Sequence, residues 1–239
     1  NQRILGGLDW AQQGQSHDAL RVTYKNEKNH LDVGYALSAM GETLVETTYT
    51  VASYKNMQFA WYHTSLNTIN ASLLFLNTGY QYADANTDLF VDYIQTFGTY
   101  LNTSGKNWDA NAWFYGQTGK SNTNSVSAWD AAANFNYVVT EKFKIGIGYE
   151  FLSGKSQLDT STDVKSFYPL FGTNHGFNGY MDYFYVGNYR NTVGLQDLFL
   201  KFNYNVSKWQ FALMPHVFNA ANTVVDGNAQ TMESYLGTE

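Results

Sequence analysis

His63, His175 and His216 are the side chains best suited to bind a metal or move a proton. A zinc site needs further His, Cys or acidic ligands at short spacing. None of the three is so placed, and the chain has no cysteine. His63 beside Trp61 reads as an interface residue, His216 as turned inward beside Met214, and His175 as part of a loop. Ser16-His17-Asp18 has the residue types of a hydrolytic relay. Neighbours on a strand point to opposite faces, however, so these three do not converge. Gly172 and Gly176-Phe177-Asn178-Gly179 lack the strand-to-helix setting of a phosphate loop and read as turn chemistry. Asp159, Asp163 and Asp182 read as solvated loop acids. No catalysis, metal or cofactor is expected.

What remains is a scatter of charged and aromatic side chains, so the elements that turn them to one side matter most. Eleven segments alternate between apolar and polar residues, the pattern of half-buried strands. In 143–151, Phe143, Ile145, Ile147, Tyr149 and Phe151 interleave with Lys144, Gly146, Gly148 and Glu150. Before it, Trp129, Ala131, Ala133, Phe135, Tyr137 and Val139 oppose Asp130, Ala132, Asn134 and Asn136. Leu198, Leu200, Phe202 and Tyr204 oppose Asp197, Phe199, Lys201 and Asn203. Trp209, Phe211, Leu213 and Val217 oppose Gln210, Ala212, Met214 and His216, with a bulge or strand end expected at Pro215. Leu20, Val22 and Tyr24 face away from Arg21 and Thr23, and Leu31, Val33, Tyr35 and Leu37 from Asp32, Gly34 and Ala36. Met57, Phe59 and Trp61 oppose Gln58, Ala60 and Tyr62. Leu89, Val91, Tyr93 and Phe97 oppose Asp92, Thr96 and Gly98; Trp108, Ala110, Ala112 and Phe114 oppose Asp109, Asn111 and Tyr115. Segment 69–82 is strand-like with apolar residues on both faces, and a last segment begins near Gln230.

The connections carry the next signal. Tight turns at 26–29, 67–68, 103–106, 140–142 and 205–207 alternate with connections read as mostly longer, at 39–54, 83–87, 119–126, 153–193 and 219–229. Outer-membrane barrels alternate in this way, with short periplasmic turns and long external loops. The segments run to about 9 to 13 residues, enough for a tilted strand to cross a bilayer. Lipid offers no hydrogen bonds, so a spanning sheet must close.

Composition agrees. Aromatics are 17% of residues and charged residues only 14%, against about a quarter charged in ordinary soluble domains. No apolar run reaches the ~18 residues of a transmembrane helix. A net charge of −6 gives no support for nucleic-acid binding, which calls for a basic stripe. Outward Trp108, Trp129 and Trp209 suit an interfacial girdle, to which Trp10 and Trp61 are further candidates. Inward Trp113 and Tyr115 could instead stack on sugar faces. The 153–193 loop is too long for a plain connector and too aromatic for disorder; it is expected to pack at the lumen mouth.

Gln2-Arg3-Ile4-Leu5-Gly6, then Trp10 and Ser16-His17-Asp18-Ala19-Leu20, resemble the alginate-export family of outer-membrane porins. Tyr168-Pro169-Leu170-Phe171-Gly172-Thr173-Asn174-His175-Gly176-Phe177-Asn178-Gly179-Tyr180-Met181-Asp182-Tyr183-Phe184 and Val193-Gly194-Leu195-Gln196-Asp197 resemble the long loop and returning strand of its Bacteroidetes-type members. The resemblance spans nearly the whole chain. It implies a barrel of about 18 strands that passes an anionic polysaccharide through an arginine-lined constriction, with Arg3 and Arg21 at matching positions. An odd strand count, a first residue that is not methionine and a Leu-Gly-Thr-Glu end lead to the expectation of strands missing at both ends. Against a polyanion, the inward charges read as Arg21, Lys144 and Lys201 facing Asp32, Asp92, Asp109, Asp130, Glu150 and Asp197, an acidic excess.

The expectation is therefore an all-β, antiparallel transmembrane β-barrel, one domain over 1–239, in the outer membrane of a Gram-negative bacterium. It would act as a channel for polar or charged saccharide-like solutes, with membrane lipid and lipopolysaccharide as surroundings. The path would be lined by Arg3, Arg21, Asp32, Asp109, Trp113, Tyr115, Asp130, Lys144, Glu150, Asp197 and Lys201. The alternative is a non-conducting accessory barrel that docks envelope protein partners.

Overall fold

The computed structural model describes residues 3–7, 16–38, 54–173, 175–184 and 189–239. Among them there is no helix, and twelve strands form one antiparallel sheet. The strands are β1 (Ala19–Lys25), β2 (Asn29–Leu37), β3 (Asn56–Leu66), β4 (Ile69–Ala83), β5 (Leu89–Ser104), β6 (Trp108–Ser121), β7 (Asn124–Thr140), β8 (Phe143–Leu152), β9 (Leu195–Val206), β10 (Trp209–Leu213), β11 (His216–Ala220) and β12 (Tyr235–Thr238). Each pairs with its neighbour in chain order from β1 to β9; β10 and β11 both pair with β9, and β12 with β11. β1 and β12 are the ends of the path, so the described sheet is open.

Eleven segments became twelve strands because Met214-Pro215 interrupts one of them. Leu213 pairs with Phe202 and His216 with Phe199, so β10 and β11 keep one register across the break. Proline has no N–H to give the ladder, although its carbonyl still accepts from the Leu200 N–H at 3.1 Å. The last strand is shorter and later than its segment, starting at Tyr235.

Turn chemistry explains the tight ends. Asn67 and Ser207 adopt positive φ, the conformation two-residue hairpin loops require. The Asn26 side chain accepts from the N–H groups of Lys28 and Asn29, an Asx turn. One connection differs from expectation: 119–126 is no extended loop. β6 and β7 run on to a two-residue turn at Asn122-Thr123, both at positive φ (47° and 71°). Asp92, expected to face the lumen, accepts from the Thr123 N–H at 2.6 Å and holds this turn. β4 to β7 accordingly reach 14 to 17 residues, longer than the segments predicted.

The two faces differ sharply. On β7, Trp129 is 40% exposed and Asp130 fully buried, and the alternation continues to Val139. Large apolar residues stand exposed on the outer face of most strands, among them Val33, Tyr35, Leu73, Phe75, Phe97, Leu101, Phe135, Ile147, Leu198, Leu200, Phe211 and Leu213. β3 is the exception. Its register places Met57, Phe59 and Trp61 opposite Thr78, Leu76 and Leu74, on the inner face, where Met57 and Leu76 are buried. Outward there lie amides instead: Asn77 donates to Gln58 and Gln95 to Asn77, each at 2.6 Å. Segment 69–82 carries apolar residues on both faces for the same reason, its inward Leu74 and Leu76 joining the core.

Between β2 and β9 the outer apolar band shifts along the strands, although β5 carries exposed Tyr93 and Leu89 well above it. Leu31, at the low end of the β2 band, is level through successive pairings with Tyr62, Leu73, Thr99, Phe114, Ala131, Phe151 and finally Gln196. Gln196 lies just above the β9 band of Leu198, Leu200 and Tyr204. The band therefore drops about one residue per strand, which with a rise of about 3.3 Å and a strand spacing of about 4.8 Å means strands inclined some 35–40° to its normal.

Candidate functional site

The inner face is filled from above by two segments. Residues 3–7 run beside the 153–193 loop, with Phe171 N–H donating to the Ile4 carbonyl at 3.0 Å and Gly6 N–H to the Phe171 carbonyl at 2.9 Å. Gln117 on β6 anchors the loop as a strand would. Its amide donates to the Tyr168 carbonyl (2.8 Å) and accepts from the Tyr168 N–H (3.1 Å). Ser153 ties the loop's start to its middle through the Lys165 carbonyl and the Phe167 N–H. Ile4, Phe167, Phe171 and Tyr189 join Met57, Leu76, Trp113 and Leu152 in one apolar cluster. The loop thus packs against the inner face, as its aromatic content predicted; Asn174 and Tyr185 lie outside the described residues.

Arg3 stands at the centre of this packing, 1% exposed. Its guanidinium lies 2.8 Å from Glu150 on β8 and 3.5 Å from Asp130 on β7, with the Phe177 ring 4.6 Å away. Burial pulls its pKa down, but the charges of Glu150 and Asp130 outweigh burial and the net shift is upward. The register explains the convergence. Tyr115 pairs with Asp130, and Glu150 with Asp197, so neighbouring strands bring three carboxylates to one patch. Three acids packed together repel one another, and Arg3 with neutral donors offsets this. Trp113 Nε1 donates to Asp130 at 2.9 Å. Asn178, on the loop, donates to Glu150 (2.7 Å) and Asp197 (3.2 Å), and accepts from the Tyr189 hydroxyl (2.6 Å). His216 Nδ1 meets Asp197 at 2.8 Å.

Of the residues expected to line a path, Arg3, Trp113, Tyr115, Asp130, Glu150 and Asp197 thus gather in one cluster. Asp130, Glu150 and Asp197 are sealed beneath the loop rather than facing an open lumen. The acidic excess read from the strands is offset there by Arg3, a residue of no strand. Lys144, Asp109 and Lys201 form a second group toward the tight-turn end, where Lys144 pairs with Asp109 at 2.5 Å and Asn136 donates to the same acid. Arg21 and Asp32 stand apart on β1 and β2, 3.8 Å from one another; Asp32 also meets His30 and Thr23.

Below the Arg3 cluster the inner face turns to amides. Asn70, Asn102, Asn111 and Asn134 occupy one row across β4 to β7. Asn70 donates to Asn102 at 3.1 Å and Asn134 to Asn111 at 3.0 Å. A cavity of about 380 Å³ opens there, walled by Tyr100, Asn111, Trp113, Asn134, Phe199, Lys201 and His216 and roofed by Phe177 and Asn178.

Reading strands alone missed Asn178, Tyr189 and the asparagine row. The cluster around Asn178 is turn chemistry, with Asn178 and Gly179 both at positive φ, but its side chain also bridges two strands. The asparagine row had a signal: four asparagines at inward positions of successive segments.

Among the described residues no group of three His, Cys, Asp or Glu could hold a metal ion. His63 stacks on Trp61 and meets Ser72, and His175 meets Asp182. His17 meets the Tyr54 hydroxyl at 2.8 Å and packs edge-on against Phe171. Trp108 and Trp209 are exposed on the outer face with Trp129, whereas Trp61 faces inward and Trp10 lies outside the described residues. Compared with known proteins, the chain matches no family model and no curated protein.

Proposed function

We propose that this chain belongs to an outer-membrane β-barrel channel, resembling the alginate-export porins, that passes polar, saccharide-like solutes through a lumen narrowed by the 153–193 loop and Arg3. The observation that carries this reading is the exposed apolar band sliding about one residue per strand. An inclination of about 35–40° is that of strands in transmembrane barrels. From Trp129 to Val139 the β7 band covers ten residue steps, about 33 Å along the strand. At that inclination it rises about 26 Å, close to the ~25 Å apolar height of an outer-membrane barrel. In water such a surface would aggregate; facing acyl chains it carries no penalty. The turns at 26–29, 67–68, 103–106, 140–142 and 205–207 then lie on the periplasmic side, and the 153–193 loop with the Asn122-Thr123 turn outside.

A second reading has its own support. Arg3, Asp130 and Asp197 are all but inaccessible, as expected of a closed plug in an accessory barrel that docks envelope proteins. Reconstitution into planar bilayers separates the two. Steady current supports the channel; silence at every voltage, with the protein inserted, supports the accessory barrel. A protein that stays monomeric and folded in buffer without detergent overturns both.

A further inference from the structure

The cavity beneath the loop is lined unlike the cluster above it. Its walls combine ring faces with primary amides. Tyr100 stacks beside Trp113 at 6.4 Å, Phe177 meets Trp113 edge-on at 5.8 Å, and Phe199 stacks on His216 at 4.9 Å. Asn111, Asn134 and Asn203 stand among these rings. Lys201 rests over the Phe199 ring at 4.8 Å and feels the carboxylates of Asp109 and Asp197 as well as the ammonium of Lys144, so the surroundings carry no large excess of either sign.

Gly148 makes room for this arrangement. A Cβ there would collide with the Phe199 ring and the Asn134 amide, so only glycine lets both lie flat against the sheet. The row from Asn70 to Asn134 leads along the inner face to this point.

We propose that the cavity and its asparagine row form a binding subsite for a single uncharged sugar ring, a pyranose, within the channel proposed above. An amide both donates and accepts, as a sugar hydroxyl does, and the C–H face of a pyranose packs on an aromatic ring. The side chains of Asn111 and Asn203 in the cavity wall supply amides of this kind. The volume is near the lower end for ligand pockets, about 300–1,000 Å³, which suits one ring and not a folded chain.

The test uses the whole chain in detergent, titrated calorimetrically with methyl β-glucoside, glucuronate and the open-chain polyol mannitol. The expected result is saturable binding of methyl β-glucoside, none of mannitol, and glucuronate no tighter than the glucoside. Phe199→Ala and Asn134→Leu, each checked for intact folding, weaken it at least tenfold. Equal affinity for mannitol, tenfold preference for glucuronate, or unchanged affinity in both variants overturns the proposal. Bilayer recordings tell its failure from that of the channel. Current that methyl β-glucoside does not reduce, with no heat of binding, removes the subsite and leaves the channel. Saturable binding without any current keeps the subsite and removes the channel.

Discussion

Without the Arg3 guanidinium, the Asp130 and Glu150 carboxylates are left buried together with only neutral donors around them. Removing one partner of a buried charged cluster costs about 3–5 kcal/mol, so Arg3→Ala is expected to lower unfolding stability by about that amount in detergent. Adding Glu150→Gln should restore part of it, and urea titration of the single and double variants measures both. His17 gives a second test. Burial holds its imidazole below the ordinary value, so the folded molecule favours the neutral ring. A base depressed in this way contributes fully above its unfolded pKa of about 6.5 and loses the contribution as pH falls through the folded value. The hydrogen-exchange protection factor at Leu37, whose N–H donates to the Asp18 carbonyl beside His17, should fall as pH drops from about 7 to 5, once the slower intrinsic exchange at lower pH is divided out. In His17→Gln that change should vanish; an identical change in the variant would place the titration elsewhere.

Elements of this sheet depend on how their ends are made. At Asn122-Thr123 a β-branched threonine sits at a φ of 71°, where an L side chain costs about 1–2 kcal/mol. Thr123→Gly keeps the N–H that Asp92 accepts and is expected to stabilise the β6–β7 hairpin by roughly 1 kcal/mol, read as a higher urea midpoint at unchanged slope. Neither residue is a glycine, so the turn was hidden within a polar stretch that reads as a longer loop. The Pro215 break, by contrast, was legible because proline's missing N–H is a property of the residue itself.

For the whole molecule the decisive property is a tilted apolar band on one face. If acyl chains cover it, charge at its middle is costly and charge at its rim is not. Phe135→Arg is expected to cost about 2–4 kcal/mol and Val139→Arg about 0–1 in lipid-based unfolding. Equal costs at the two positions would mean that the band does not face a bilayer. Exposed apolar residues on nearly every strand also explain why composition was so informative. Few charges and many aromatics are what a sheet with one greasy and one wet face demands.

Sequence by itself determined what depends on nearest neighbours along the chain. A period of two makes strands, proline interrupts one, short polar clusters turn the chain, and alternation separates Trp129 from Asp130. Only the tertiary structure decided which way β3 faces, because Met57 and Phe59 turn inward where the loop and core cover them, and alternation alone has no inside. It also decided the fate of the inner-face charges. Arg3 comes from one end of the chain and Asn178 from a loop, yet both meet carboxylates aligned by the register of three strands. Contacts that span the chain arise from packing, and no local pattern encodes them.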